Sequence, residues 1–280
     1  MDKVTHNAAE ILETLRRGTP LVQIITNYVT INDVANGLLC LGASPAMVEA
    51  ENEVRSFLPL VQALYINLGT LTAEQGRAIR ALLPLAKELG LPVLLDPVAC
   101  GVMKEKMDFT LSILDSGCVG IIKGNTAEIM SLAGKSGQAR GVDALASNDE
   151  ARAEAEARDA CALLAARYAC TAVATGARDI MSDGRESLRL SGGSALLARF
   201  SGSGCVLGGL MAACAGARAK TADSYLQAAL AAAAVMKCAS EAAAPGAKGP
   251  MSFKIALLDA LAAVTPQNLR EWTEKNCAVL

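Results

Sequence analysis

The chain has 280 residues, 52% hydrophobic, 19% charged and 3% aromatic, with a formal net charge of −2. This composition excludes a disordered chain and supplies a sizeable core. It offers neither the basic face nor the aromatics of a nucleic-acid binder. The longest purely apolar run, Ala228–Met236, falls far short of the roughly 20 residues a membrane helix needs.

The first residues carry no apolar signal core, so the chain is expected to be cytoplasmic. Its nine cysteines include no C-x-x-C pair, and His6 is the lone histidine, so they read as reduced thiols and not as a zinc site. In chain order, Asn7-Ala8-Ala9-Glu10 resembles a capping box opening a helix that runs to Arg17 and stops at Gly18. Five short apolar runs, Pro20–Ile25, Ala63–Leu68, Leu91–Leu95, Val119–Ile122 and Thr171–Ala174, read as strands buried on both faces. A helix carrying Asn32, Asp33 and Asn36 follows the first. Another starts at Thr72-Ala73-Glu74-Gln75 and runs to Leu89. Residues 134–148 are expected to be a mobile surface excursion. Asp149–Arg167 reads as an amphipathic helix and Asp179–Leu190 as a hairpin turning at Asp183-Gly184. Gly204–Ala217, Thr221–Ala243 and Ser252–Val264 read as packed helices, and the tail beyond 270 is unplaced.

Alternating strands and helices imply a mostly parallel sheet covered on both faces, with ligands beyond the carboxyl ends of the strands. At those ends Asn27 either hydrogen-bonds a ligand or caps a helix. Gly69 either admits a ligand close to the backbone or serves a turn. Asp96, before Pro97, is either a magnesium ligand or a turn residue. Lys123-Gly124-Asn125-Thr126-Ala127-Glu128 puts a cation, an amide and an acid within six residues. Asn125 and Glu128 can form a capping box, while the functional reading puts Lys123 on phosphate and Glu128 near magnesium. Thr175 can meet a nucleotide. Ser201-Gly202-Ser203-Gly204 enters an apolar helix, and the backbone N–H groups of Gly202, Ser203 and Gly204 would form an anion hole there. It is not a P-loop, which needs G-x-x-x-x-G-K-[ST].

Taken together, these stretches resemble the hydroxyethylthiazole kinases of the ribokinase-like superfamily. PLVQIITNYVTINDVANGLLCLGASPAMVEAENEV (20–54), INLGTL (66–71), LLDPVACG (94–101), IIKGNTAEI (121–129), ATG (174–176) and SGSGCVLGGLMAA (201–213) are collinear with the family pattern. The resemblance implies one kinase domain over 1–280, a three-layer αβα sandwich, usually a homotrimer with sites at subunit interfaces. It implies phosphorylation of 4-methyl-5-(2-hydroxyethyl)thiazole by ATP with magnesium. Met47 and Gly202 match thiazole-site positions, with Asn27 and Gly69 in the same pocket. Lys123, Asn125 and Thr175 match the nucleotide side, and Asp96 and Glu128 the magnesium-side acids. Cys205 stands where most relatives in the superfamily carry a catalytic Asp and thiazole kinases a Cys. Three positions depart from the family: Gln23 where His is common, Lys123 where Arg is usual, and Cys100 where a small residue follows DPV. A kinase of another small alcohol, such as hydroxymethylpyrimidine, or a catalytically impaired ligand-binding homologue are the alternatives.

Overall fold

The computed structural model describes residues 2–135, 147–217 and 223–280. The strands are β1 (Leu21–Ile25), β2 (Ser44–Ala46), β3 (Ala63–Asn67), β4 (Val93–Asp96), β5 (Val119–Asn125), β6 (Thr171–Thr175), β7 (Asp179–Ser182), β8 (Ser187–Leu190) and β9 (Cys277–Val279). The helices are α1 (Asp2–Gly18), α2 (Ile31–Leu41), α3 (Val54–Phe57), α4 (Ala73–Glu88), α5 (Lys104–Leu114), α6 (Thr126–Leu132), α7 (Ser147–Tyr168), α8 (Ser203–Ala217), α9 (Asp223–Ala243), α10 (Pro250–Ala263) and α11 (Pro266–Asn276). One nine-stranded sheet runs in the order β2-β1-β3-β4-β5-β6-β7-β8-β9. Pairing is parallel from β2 to β6 and antiparallel from β6 to β9.

Successive strand residues face opposite sides, and both faces are apolar. Ile24, Tyr65, Leu94, Ile121 and Val173 pack under α1, α2, α8, α9, α10 and α11. Their neighbours Ile25, Ile66, Leu95, Ile122 and Ala174 pack under α3 to α7. This is the three-layer αβα arrangement. Strand order reverses at β1, which lies between β2 and β3, so the loops after β1 and β3 form a crevice at the carboxyl edge.

Several elements differ from the sequence reading. α1 begins at Asp2, so Asn7 lies inside the helix and caps nothing. The apolar face of Ala8, Ile11, Leu12 and Leu15, all buried, determines that helix more than the short polar motif does. Its stop uses Thr19, at φ 44°, with the Thr19 N–H donating to the Leu15 carbonyl at 2.7 Å. β5 continues two residues past Lys123, so Lys123 lies in a strand and not in a loop. β2 and β9 have three residues each and show no readable alternation. The tail beyond 270 completes α11 and adds β9. The helix expected from Thr72 forms, opened by a capping box of Thr72 and Gln75, and so does the 179–190 hairpin. The excursion over 134–148 falls mostly outside the described residues, and its end already belongs to α7.

Candidate active site

Period-two geometry builds the floor of the site. Tyr65, Leu94, Ile121 and Val173 face the layer of α8 and α9, so the residues two further on, Asn67, Asp96, Lys123 and Thr175, face the same way at the carboxyl ends of four adjacent strands. Asn67 and Asp96 are direct register partners. Lys123 Nζ lies 2.8 Å from Asp96 Oδ2 and donates to the Gly204 carbonyl at 3.0 Å. Asp96 Oδ2 also accepts from Asn67 Nδ2 at 3.0 Å and from the Tyr65 hydroxyl at 3.2 Å. Burial disfavours the Lys123 ammonium, but the charge and hydrogen bond of Asp96 more than offset this, so Lys123 titrates above the ordinary lysine range. Burial, then the Asp96 charge, pushes Tyr65 well above the ordinary tyrosine range, which keeps it a neutral donor.

The amino end of α8 closes the floor from above. Gly202 has φ +105°, and a Cβ there would lie 2.9 Å from Thr30 Cγ2, so both backbone and space select glycine. The chain then turns into α8 at Ser203, whose first turn carries the N–H groups without intrahelical partners and the positive end of the helix dipole. Cys205, in the first turn, meets two amides: Asn27 Nδ2 lies 3.3 Å and Asn67 Nδ2 3.4 Å from its sulfur. Asn27 Nδ2 also donates to Asn67 Oδ1 at 3.0 Å. The Cys205 carbonyl accepts from the Tyr65 hydroxyl at 3.0 Å. One continuous network therefore runs from Asn27 through Asn67 and Asp96 to Lys123, with the thiol above it.

On the β6 side, a cavity of about 260 Å³ is lined by Thr175, Gly176, Ser203, Gly204, Leu207 and Lys237, among others. Lys237 is buried on α9. Its ammonium donates to the carbonyls of Gly192 (3.1 Å), Ala177 (3.2 Å) and Gly176 (3.4 Å) and lies 3.6 Å from Asp179 Oδ2. Burial raises the Asp179 carboxyl above its ordinary range, opposed by the Lys237 charge. Asn125 and Glu128 form a capping box on α6: Asn125 Oδ1 accepts from the Glu128 N–H at 2.9 Å, and Glu128 Oε2 accepts from the Asn125 N–H at 2.8 Å. Glu128 Oε1 accepts from the Ala99 N–H at 2.8 Å, tying the DPVACG loop to α6.

On the β1 side, Met47 follows edge strand β2 and is half-buried. Its segment is held by Gln23, whose Nε2 donates to the Val48 carbonyl at 2.9 Å, and by Glu49, which accepts from Gln75 Nε2 at 2.8 Å. The space a Cβ at Gly69 would fill is taken by the Asn27 side chain, 2.6 Å away, so the close approach at Gly69 is made by Asn27 and not left to a ligand. The Gly69 N–H donates to Asn67 Oδ1 at 3.0 Å, and the Gly69 carbonyl accepts from Lys106 Nζ on α5.

A model of the hydroxyethylthiazole kinase family matches residues 12–267. The chain belongs to the hydroxyethylthiazole kinase family. It is 42% identical over 257 residues to the hydroxyethylthiazole kinase of Clostridium novyi, covering 92% of this chain and 93% of that one. It is 43% identical over 262 residues to hydroxyethylthiazole kinase 1 of Clostridium botulinum, covering 93% and 95%. The structure of the hydroxyethylthiazole kinase protein of Pyrococcus horikoshii OT3 superposes with TM-score 0.84 at 34% identity over 98% of both chains. The ADP complex of Bacillus subtilis pyridoxal kinase, at 18% identity and TM-score 0.55, shares the fold.

In this hydroxyethylthiazole kinase family member, the residues expected at the site converge on one edge of the sheet. Asn27, Gly69, Asp96, Lys123, Gly204 and Cys205 are linked by direct contacts. Thr175 and Ser203 line the adjoining cavity, and Asn125 and Glu128 cap the neighbouring helix. Lys123, expected to reach phosphate, is instead turned inward, because its place within β5 aims it at the α8 face. The sequence reading missed Tyr65, Lys106 and Lys237. For Lys237 a signal existed: it is a lone cation interrupting the apolar run of α9.

Proposed function

We propose that this chain transfers the γ-phosphoryl group of ATP to the hydroxyethyl oxygen of 4-methyl-5-(2-hydroxyethyl)thiazole, the salvage step that feeds thiamine synthesis. The observation that carries this reading is Cys205 in the first turn of α8, directly after the Gly202–Gly204 loop and against Asn27 and Asn67. The loop N–H groups receive the transferring phosphoryl oxygens. The hydroxyl oxygen attacks the γ-phosphorus in line as the β–γ bridging bond breaks, and ADP leaves with that electron pair. Phosphoryl transfer depends mainly on positioning and charge stabilisation. The hydroxyl proton passes to the Cys205 sulfur in its thiolate form, which the Asn27 and Asn67 amides orient. Met47 and Asn27 line the thiazole side, with Gly69 packed behind Asn27. Thr175, Asn125 and the cavity beside Lys237 take the nucleotide, and Lys123 braces Gly204 from below.

Magnesium fits this donor set in a limited way. Asp96 Oδ1 is buried without a hydrogen-bond partner, leaving one carboxylate oxygen free. Among the described residues no group of three or more acids, histidines or cysteines could hold a metal alone. That suits an ion held mostly by nucleotide phosphates and water, with Asp96 as ligand and Glu128 acting through water. When bound, magnesium neutralises charge on the ATP oxygens.

We also propose that the full chain acts as one kinase domain and works as a homotrimer with sites at subunit interfaces. Leu39 on α2 and Met251 and Ile255 on α10 are large apolar side chains left exposed on two helices that pack together, which supports a self-association face. Among the described residues no helix is long and apolar enough to cross a membrane. All nine cysteines are free thiols, which supports placement in the cytoplasm, where thiols stay reduced. The deciding experiment incubates the purified chain with Mg-ATP and the thiazole at about 1 mM, near the upper end of usual KM values, and looks for the phosphate ester by mass spectrometry. Absence of the ester, with ester formed from hydroxymethylpyrimidine instead, would replace this substrate with the alternative alcohol. Absence of both would leave a binding protein.

A further inference from the structure

Among the described residues, Lys106, Lys123 and Lys237 stand at the carboxyl edge of the sheet near the network, and they differ in what already meets their charge, while Lys254 is paired with Asp33. Lys123 is buried and lies on Asp96 and the Gly204 carbonyl. Lys237 is buried and lies on three carbonyls and Asp179. Lys106 is half-buried, and among the described residues its one hydrogen bond is to the Gly69 carbonyl. Among the described residues no carboxylate comes within ion-pair distance of it. Burial lowers its pKa below the ordinary lysine range, and the more distant charge of Glu128 only partly opposes this. A partly desolvated cation without a counter-ion is costly to keep. It becomes favourable if an anion arrives, because an ammonium with two free N–H donors and reduced hydration is a strong phosphate partner.

Its position says which anion. Lys106 bonds Gly69, Gly69 bonds Asn67, and Asn67 touches both the Cys205 sulfur and Asp96. The ammonium is therefore joined through the Gly69 backbone to the network under the reactive thiol and lies within the field of Glu128. We propose that Lys106 is a catalytic cation that meets the terminal phosphate of the nucleotide from the acceptor side during transfer. The glycine loop holds the same group from the α8 side. Lys106 then performs the phosphate contact expected of Lys123, whose burial leaves it as a brace. This role rests on the kinase reading above, and it names a residue of that reaction that no family motif in the sequence pointed to.

Two substitutions separate charge from tethering. Lys106→Gln keeps a donor for the Gly69 carbonyl and loses the charge, whereas Lys106→Arg keeps the charge. Steady-state turnover of thiazole and Mg-ATP should fall about 10²-fold in kcat for Lys106→Gln, the size of effect seen when one donor to a developing charge is removed. It should stay within about 5-fold of wild type for Lys106→Arg, on the same basis. Calorimetry with AMP-PNP and with AMP supplies a readout that does not depend on turnover: Lys106→Gln should weaken AMP-PNP about tenfold, or about 1.4 kcal/mol, and leave AMP unchanged. A wild-type chain that phosphorylates no thiazole refutes the substrate assignment and leaves the binding result to decide on Lys106. Wild-type behaviour of Lys106→Gln, equal weakening of AMP and AMP-PNP, or failure of Lys106→Arg to restore turnover would each overturn the proposal. Lys106→Met repeats both measurements if Lys106→Gln does not fold.

Discussion

Removing the Lys123 ammonium tests the inward arrangement of the floor. Lys123 and Asp96 are 4% and 1% exposed, and their charged atoms are 2.8 Å apart. In Lys123→Met, Asp96 Oδ2 keeps the neutral donors Asn67 and Tyr65, but its negative charge stays buried without a counter-charge, and the Gly204 carbonyl loses a donor. Breaking a buried pair from one side costs about 3–5 kcal/mol. For a chain of 280 residues that corresponds to a fall of roughly 5–9 °C in Tm. Adding Asp96→Asn removes the stranded charge as well. The double variant should therefore recover about 2 kcal/mol relative to the sum of the single ones, within the range of measured couplings between contacting residues.

The pH dependence follows from the direction of the Lys123 shift. Its folded-state pKa is raised, so the lysine's contribution is fully present below the unfolded value of about 10.4 and is lost only as pH climbs through the folded one. The deficit of Lys123→Met should be flat from pH 6 to 9, where lysine stays charged in both states. Thermal melts of wild type, both single variants and the double variant across that range make the cycle. A Lys123→Met deficit under about 1 kcal/mol, typical of a surface pair, would show that the ammonium points to solvent. So would strict additivity in the cycle. The inward geometry would then be wrong, and Lys123 would return to the list of phosphate ligands.

Cys205→Ala should lower kcat on the order of 10²-fold without abolishing it, since general-base assistance contributes that much and the glycine loop remains. Cys205→Asp should keep or raise kcat, because a carboxylate can receive the same Asn27 and Asn67 amides. Complete loss in Cys205→Ala with nucleotide binding intact, or a phosphocysteine found by mass spectrometry, would refute the in-line route. Static light scattering should give three times the chain mass, and Ile255→Glu with Met251→Glu should shift it toward one. A wild-type mass equal to one chain would remove the trimer.

The floor of the site was readable because strand geometry carries it. Once Ala63–Leu68, Leu91–Leu95, Val119–Ile122 and Thr171–Ala174 are taken as strands, the polar residues at their carboxyl ends are the residues the sheet brings together. The α6 capping box was equally local, since Asn125 and Glu128 lie three residues apart and satisfy each other's N–H groups. Direction was harder to read. Whether Lys123 points up or down depends on β5 running to Asn125, and strand ends are decided by neighbouring strands, here by pairing with β6 through Thr175. The capping-box reading at Asn7 failed for a similar reason: burial of the helix face extends α1 past a motif that would have stopped it.

The residues that escaped notice act over long sequence separations with long side chains. Lys106 bonds a carbonyl 37 positions away, and Lys237 one 61 positions away, each from a helix with no motif at that point. A lysine on a helix normally reads as a solvated face, and only the folded chain reveals that its amine is desolvated and what meets it. That distinction separates the three cations of this site. Lys123 and Lys237 have their charges met by the protein, so their removal should show first in stability. Among the described residues no carboxylate pairs with Lys106, so if the arriving phosphate supplies its counter-charge, its removal should show first in turnover. The ordering of those two losses across Lys123→Met and Lys106→Gln is what electrostatics requires if the anion at this edge of the sheet is the one transferred.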